Sequence, residues 1–359
     1  MVFSEDESKL AEYKLPVSIV RVSGSLLGVH AQVRPSFARR VLQRAWGRPV
    51  PSTTFHAYLA AREQGVSVLL PPGDVPDWTA GVKTLGWIPD FQHRFLPQFF
   101  TEQERRYRDV QYRRLAERAD AVLLSSHVAQ AHFSDFAPDL ASKARVASFP
   151  SLFVFEAPSG DSTSTRQKYH LPEKFALVAN QFWAHKNHEL VVEGLRRLRC
   201  KGVRIPVVMT GVPLDHRDPG NRVLSRLLQG IVVGGLTDQV LLMGEVSREE
   251  LVDMMRAAAL IIQPSHFEGW STVVQDAKAL GRPLICSDIP VHREQAPGAL
   301  GWFPCDAPDV LADLIASCWD ELNPGPDILR ERKAILAERE FAANYGCTLL
   351  GLCREALRT

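Results

Sequence analysis

A chain of 359 residues, 45% hydrophobic and 23% charged, is long enough for two domains with a large core and has ordinary globular composition. A formal charge of +1 argues against wholesale nucleic-acid binding. No run of about 18 uncharged apolar residues exists to span a membrane. The opening MVFSEDESKLAEYK is acidic and polar, unlike a secretory leader. Six cysteines, all in the second half, show no metal-ligand spacing and read as small buried residues of a reducing cytoplasm. A cytoplasmic protein is therefore expected.

In chain order, Val17 to Val22 reads as a strand and Arg34 to Trp46 as a helix. Between them, Gly24 and Gly28 lie in a loop that is either a plain turn or an approach to a ligand. Thr54 to Gln64 reads as a helix ending at Gly65, and Val66 to Leu70 and Leu85 to Ile88 as strands. The second of these runs into Pro89-Asp90-Phe91-Gln92-His93. An Asp and a His just past a strand end point into the cleft of an α/β domain. Asp90 can orient or deprotonate a hydroxyl and His93 can bond one; alternatively, Asp90 caps a helix and His93 is a packed histidine. Glu102 to Arg118, with six arginines and four acids, is a mixed-charge helix. Its plain reading is a solvated face; its sharper one is a basic face, Arg105 to Arg118, meeting anionic lipid. Ala119 to Ser126 is a strand.

Composition changes between Phe149 and Glu173, where APSGDSTST reads as a flexible linker. The boundaries expected are residues 1–155 for a first domain, 156–172 for the linker, 173–340 for a second domain and 341–359 for a final helix. Phe175 to Val178 opens the second half as a strand. Asn180 to His188 follows, then a helix from Glu189 to about Arg199. Lys186 sits at that strand-to-helix turn, where its charge adds to free helix amides as a phosphate ligand. Further strands are read at Pro206 to Met209, turning at Gly211, and at Val240 to Met243, followed by Gly244. Ser247 to Glu250 is a capping box. Ala258 to Gln263 is an apolar strand stopped by Pro264. A loop through Glu268, Gly269, Trp270, Ser271 and Thr272 then enters a helix whose apolar face is Val273, Val274, Ala277 and Leu280. Two acids frame this anion-friendly entrance, Glu268 in the loop and Asp276 two turns along, spaced E-x7-D. Leu284 to Cys286 and Trp302 to Pro304 are strands, and Leu329 to Leu357 is helical with a break expected around Tyr345-Gly346. Strands alternating with helices imply parallel sheets.

Pro264-Ser265, Glu268-Gly269, Asp276-Ala277, Gly281-x-Pro283 and Ser287-Asp288 together resemble the signature of the retaining GT-B glycosyltransferases called family 4, or glycosyltransferases group 1. The wording from Glu268 to Val274, with the WIPDFQH segment, is similar to a subgroup found in bacterial surface-polysaccharide pathways. The resemblance implies an α/β GT-B fold, two Rossmann-like domains with parallel sheets facing a central cleft, with a first domain short for the family.

The resemblance also implies transfer of a sugar, with retention, from a nucleotide-diphosphate-sugar to a glycan or polyprenyl-linked acceptor, with no metal or other cofactor. Lys186 would hold the donor diphosphate, Glu268 the transferred sugar and Asp276 the ribose. Asn180, Gly211, Gly244 and Gly269 to Thr272 complete the donor set, and Asp90 and His93 the acceptor side. Two departures stand out. The family's second acid is glutamate, and its arginine upstream of the lysine is missing, with Asn180 and Gln181 in its neighbourhood. One cation would then face the diphosphate, unless Arg282, Arg293 or another arginine moves in. A GT-B isomerase or hydrolase acting on a nucleotide-sugar, such as a UDP-sugar 2-epimerase, and a non-catalytic nucleotide-sugar-binding relative are the alternatives.

Overall fold

The computed structural model describes residues 58, 61–70, 73–77, 79, 81–151, 163–215, 217, 218 and 220–358. The readings at Val17 to Val22, Gly24, Gly28 and Arg34 to Trp46 lie outside those residues, as does most of the helix read from Thr54.

The first domain runs β1 (Val68–Leu69), β2 (Lys83–Trp87), α1 (Gln92–Phe95), α2 (Glu102–Arg118), β3 (Ala121–Leu124), α3 (His127–Phe136) and β4 (Ala144–Val146). Its described strands form one parallel sheet in the order β1-β2-β3-β4. Tyr58, Ile88, Phe91, Leu115 and Phe133 fill the core on one face. Thr101 caps α2 through a reciprocal box with Glu104. Five of the six arginines of α2 face acids: Arg105 and Arg106 pair with Glu102, Arg113 with Glu117 and Asp139, Arg114 with Asp74 and Arg118 with Asp77. That pattern is that of a solvated, ion-paired face.

After α4 (Thr163–Lys168), the second domain runs β5 (Ala176–Ala179), α5 (His188–Cys200), β6 (Val207–Thr210), α6 (Arg222–Val233), β7 (Val240–Gly244) and α7 (Arg248–Ala257). It continues through β8 (Leu260–Gln263), α8 (Thr272–Ala279), β9 (Leu284–Ser287), α9 (Pro290–Gln295), β10 (Gly301–Phe303) and α10 (Pro308–Trp319), and the chain closes with α11 (Ile328–Ala356). All six strands are parallel, in the order β10-β9-β8-β5-β6-β7. β5, β6, β8 and β9 are buried at every position, which is why they read as unbroken apolar runs. The order reverses direction between β5 and β8, which pair at Ala176–Leu260 and Leu177–Ile261. A crevice opens outside the carboxyl ends of the strands at such a switch point, and ligands of doubly wound sheets bind there.

Two elements differ from expectation. Of the segment read as linker, residues 156–162 lie outside the described set. Thr163–Lys168 is instead helical, and the Thr165 hydroxyl donates to Asp253 on α7 at 2.7 Å. The break expected at Tyr345-Gly346 does not occur, and α11 is continuous for 29 residues. Its start is tied to the second domain by the buried Arg256–Glu331 pair at 2.8 Å. Its end packs Tyr345, Leu349, Leu352 and Ala356 on Leu85, Ala121 and Leu123 of the first sheet, with Arg145 bonding Glu355 at 2.5 Å. Burial of one apolar stripe on another domain outweighs the roughly 1 kcal/mol that a mid-helix glycine costs.

Candidate active site

The site begins at the switch point. Asn180 follows β5 and Gln263 ends β8, and the Asn180 amide donates to the Gln263 carbonyl at 2.8 Å. Gln263 in turn donates to Glu268 Oε1 at 3.0 Å and to the Ser265 hydroxyl at 3.1 Å. Lys186 Nζ reaches the same Glu268 oxygen at 2.6 Å. Asn180, Gln263, Glu268 and Lys186 thus form one chain of contacts across two βα units. Lys186 and Glu268 are nearly enclosed, at 14% and 10% side-chain exposure. Burial alone would raise the Glu268 carboxyl, but the charge of Lys186 outweighs it and holds the group below the usual carboxylate range. His185 is pushed the other way: burial and the Lys186 charge lower its imidazole to about 3.

Asp276 points to the other end of the helix entrance. It accepts from the Ser151 hydroxyl at 2.6 Å and from both ends of the Arg248 guanidinium, at 3.0 and 3.4 Å. Burial raises its carboxyl despite Arg248 and Ser151. Ser151 is fixed by its amide to Glu338 of α11 at 2.7 Å, and Gln275 donates to both oxygens of that glutamate. Lys186, Asp276, Thr272, Gly211 and Asn180 share the wall of one cavity of about 260 Å³, together with Arg248. The floor depends on Gly211, at φ +152°, where a Cβ would fall 2.2 Å from the Asn180 carbonyl oxygen. Gly244 accepts from the Gly211 amide at 2.8 Å and the Thr210 hydroxyl at 2.7 Å, which fixes the neighbouring turn.

The rest of the Glu268 loop holds the domains together. A Cβ on Gly269 would lie 2.2 Å from the Pro89 carbonyl oxygen and 3.0 Å from Asp90 Cβ. Its own carbonyl accepts from Ser126 at 3.0 Å. Trp270 donates its indole N–H to the Phe149 carbonyl at 3.1 Å. The Ser271 amide donates to Gln295 at 3.0 Å, and the Ser271 hydroxyl caps α8 through Val274 N. Trp270 and Ser271, expected on the donor, are therefore engaged in domain contact and helix capping. Glu294 accepts from the His127 and Val128 amides at 2.8 and 3.0 Å, anchoring α3 to the second domain.

Asp90 lies against Gly269 and accepts from the Gln92 amide at 2.8 Å. Burial raises its carboxyl, and the Glu268 charge adds to the rise. His93 is buried: its Nε2 meets Asp109 at 3.0 Å, and its ring sits 5.4 Å from Tyr112 and 6.3 Å from Phe100. Burial lowers its imidazole, against the pull of Asp109. Beside this group a larger cavity, about 580 Å³, opens between Phe99, Phe100 and Glu104 of the first domain and Asp215 and Arg217 of the second. Arg217 bridges the two: it bonds Asp215 at 3.0 Å and Gln92 at 3.1 Å, between the rings of Phe100 and Trp183.

The sequence reading missed Arg217, Arg248, Ser151 and Gln295. Arg248 had a local signal, its place in a capping box, but its role depends on a contact 28 residues away. Among the described residues no group of three His, Cys, Asp or Glu side chains is placed to hold a metal ion, and no helix is long and apolar enough to cross a membrane.

Two parallel-sheet α/β domains meeting at this cleft define the GT-B fold. Anabaena HepE, solved in complex with UDP, shares it with a TM-score of 0.59 at 16% identity, over 98% of this chain and 89% of that one. Residues 161–321 match the model of the family of glycosyl transferases group 1. Over 132 residues the chain is 27% identical to mannosylfructose-phosphate synthase of Agrobacterium fabrum, covering 36% of this chain and 29% of the relative. Over 199 residues it is 28% identical to the alpha-D-kanosaminyltransferase of Streptomyces kanamyceticus, covering 53% and 48%. The chain thus spans less than half the length of these curated relatives.

Proposed function

We propose that the protein transfers a sugar from a nucleotide-diphosphate-sugar to a glycan or lipid-linked acceptor, with retention and without a metal, in bacterial surface-polysaccharide synthesis. One observation carries the reading: Lys186, Asp276 and the Thr272 helix entrance line a single cavity at the sheet's switch point, with Glu268 paired to Lys186. In this arrangement the diphosphate lies on Lys186 and the α8 entrance. Asp276 holds ribose hydroxyls and Glu268 the sugar. The bond from the sugar's anomeric carbon to the diphosphate oxygen breaks, and its electron pair leaves on that oxygen, where the cationic turn stabilises it. The acceptor hydroxyl forms the new bond and gives up its proton to the departing phosphate. The acceptor enters from the first domain through the larger cavity, beside Phe100 and Arg217. With five of the six α2 arginines paired to acids, a lipid-linked acceptor is engaged in the cleft rather than by a basic surface.

The test is release of nucleoside diphosphate from a panel of nucleotide-sugars, with and without glycan acceptors. Acceptor-dependent release that is lost in Glu268→Gln is expected. Release without acceptor would favour a hydrolase or isomerase, and donor binding without turnover a non-catalytic relative.

A further inference from the structure

A diphosphate carries more than one unit of negative charge, and Lys186, already paired with Glu268 at 2.6 Å, is a single cation. The two arginines nearest in sequence to Asp276 do not help. Arg282 is buried and donates to the Ala258 carbonyl, and Arg293 pairs with Asp288 at 2.7 Å and stacks on Trp302 at 4.0 Å. Arg248 differs from both. It shares the cavity wall with Lys186, and its guanidinium lies on Asp276. The side chain of Asp276 is 4% exposed and that of Arg248 is 42% exposed. Arg248 therefore touches a buried carboxylate and lines the cavity as well.

We infer that Arg248 is the second cation of the diphosphate site, holding Asp276 with its inner edge and the phosphate oxygens of a nucleoside diphosphate with its outer edge. This rests on the function proposed above. A planar guanidinium carries five N–H donors and can serve two anions at once, which an ammonium does less well. The ligand's own geometry agrees. Ribose and the first phosphate are joined through one carbon, so a cation beside the ribose acid is also beside the phosphate. The arginine that the family pattern places upstream of Lys186 is thereby replaced from another helix.

The experiment uses the full chain with Arg248→Gln and Arg248→Lys. UDP, GDP and ADP, and the matching nucleosides, are titrated calorimetrically, and melting temperatures report folding. For the diphosphate that binds wild type, Arg248→Gln should lose about tenfold to a hundredfold in affinity, the range for one charge-assisted contact. The matching nucleoside should change by less than about threefold, and Arg248→Lys should recover part of the loss. Equal losses for diphosphate and nucleoside would show that Arg248 only positions Asp276, and unchanged diphosphate affinity would also overturn the inference. Should Arg248→Gln fail to fold, Arg248→Lys alone decides by the same comparison. Wild-type protein that binds none of the diphosphates would remove the function proposed above, and this inference with it; a failure confined to the variants leaves that function standing.

Discussion

Lys186 and Glu268 come from different βα units, 82 residues apart, yet meet at 2.6 Å in the crevice where the second sheet reverses its strand order. Lys186→Ala should weaken binding of free nucleoside diphosphate by about 1.5–3 kcal/mol, the range for a charge-assisted contact. Calorimetry on the folded variant measures it, and unchanged affinity would remove Lys186 from the phosphate site.

The contact between Gly269 and Pro89 sets how closely the two domains approach. A methyl group there meets a backbone oxygen of the other domain at 2.2 Å, so the cleft must open or the loop must shift. Gly269→Ala should cost about 1–3 kcal/mol of stability, as overpacking does, and lower turnover. Gly298→Ala, where a Cβ meets nothing within 4 Å, is the control. Equal behaviour of the two variants in denaturant titration would show that the contact yields freely.

Gly346 lies inside the continuous helix α11 with nothing within 4 Å of its missing Cβ. Gly346→Ala should therefore raise stability by about 0.5–1 kcal/mol. A loss of stability would indicate that the helix needs a bend there.

Burial holds His185 and His188 down to about 3, with the Lys186 charge adding to both. The unfolded chain takes up protons on these rings near pH 6.5 that the folded chain refuses. Their contribution to stability is thus complete above that pH and is lost as pH falls from about 6.5 towards 3. Asp90 and Asp276, both raised by burial, act in the opposite sense, so a difference measurement isolates the effect. His188 stacks on Phe182 at 4.7 Å, and His188→Phe keeps that packing. Between pH 6.5 and 5.5 the variant should lose about 1 kcal/mol less stability than wild type, by proton linkage. Parallel losses in both proteins would contradict the assignment.

Much of the fold was legible because its signals are local. Leu260 to Gln263 is buried on both faces and reads as an apolar run closed by Pro264. Ser247 and Glu250 form the capping box their spacing suggests. The Gly269 loop reads as a helix entrance because Ser271 caps α8. What stayed hidden depends on contacts between distant residues. Nothing near Ser151 shows that its hydroxyl will meet Asp276, 125 residues on. Nothing near Trp270 shows that its indole will meet the Phe149 carbonyl, 121 residues back. The continuity of α11 through Gly346 comes from the surface it covers on the first domain.

The acid pair is the centre of the account. Glu268 sits with Lys186 and Gln263, and Asp276 with Ser151 and Arg248, so the two carboxylates have separate partners and should have separate effects. The decisive measurement is calorimetric titration of Glu268→Gln and Asp276→Asn with a nucleoside diphosphate and with its nucleotide-sugar. Asp276→Asn should weaken both ligands, because both carry the ribose. Glu268→Gln should weaken only the nucleotide-sugar, by about 1–3 kcal/mol for a lost carboxylate contact, and spare the free diphosphate. Equal losses for both ligands in both variants would mean that the acids merely support the loop, and would contradict the site.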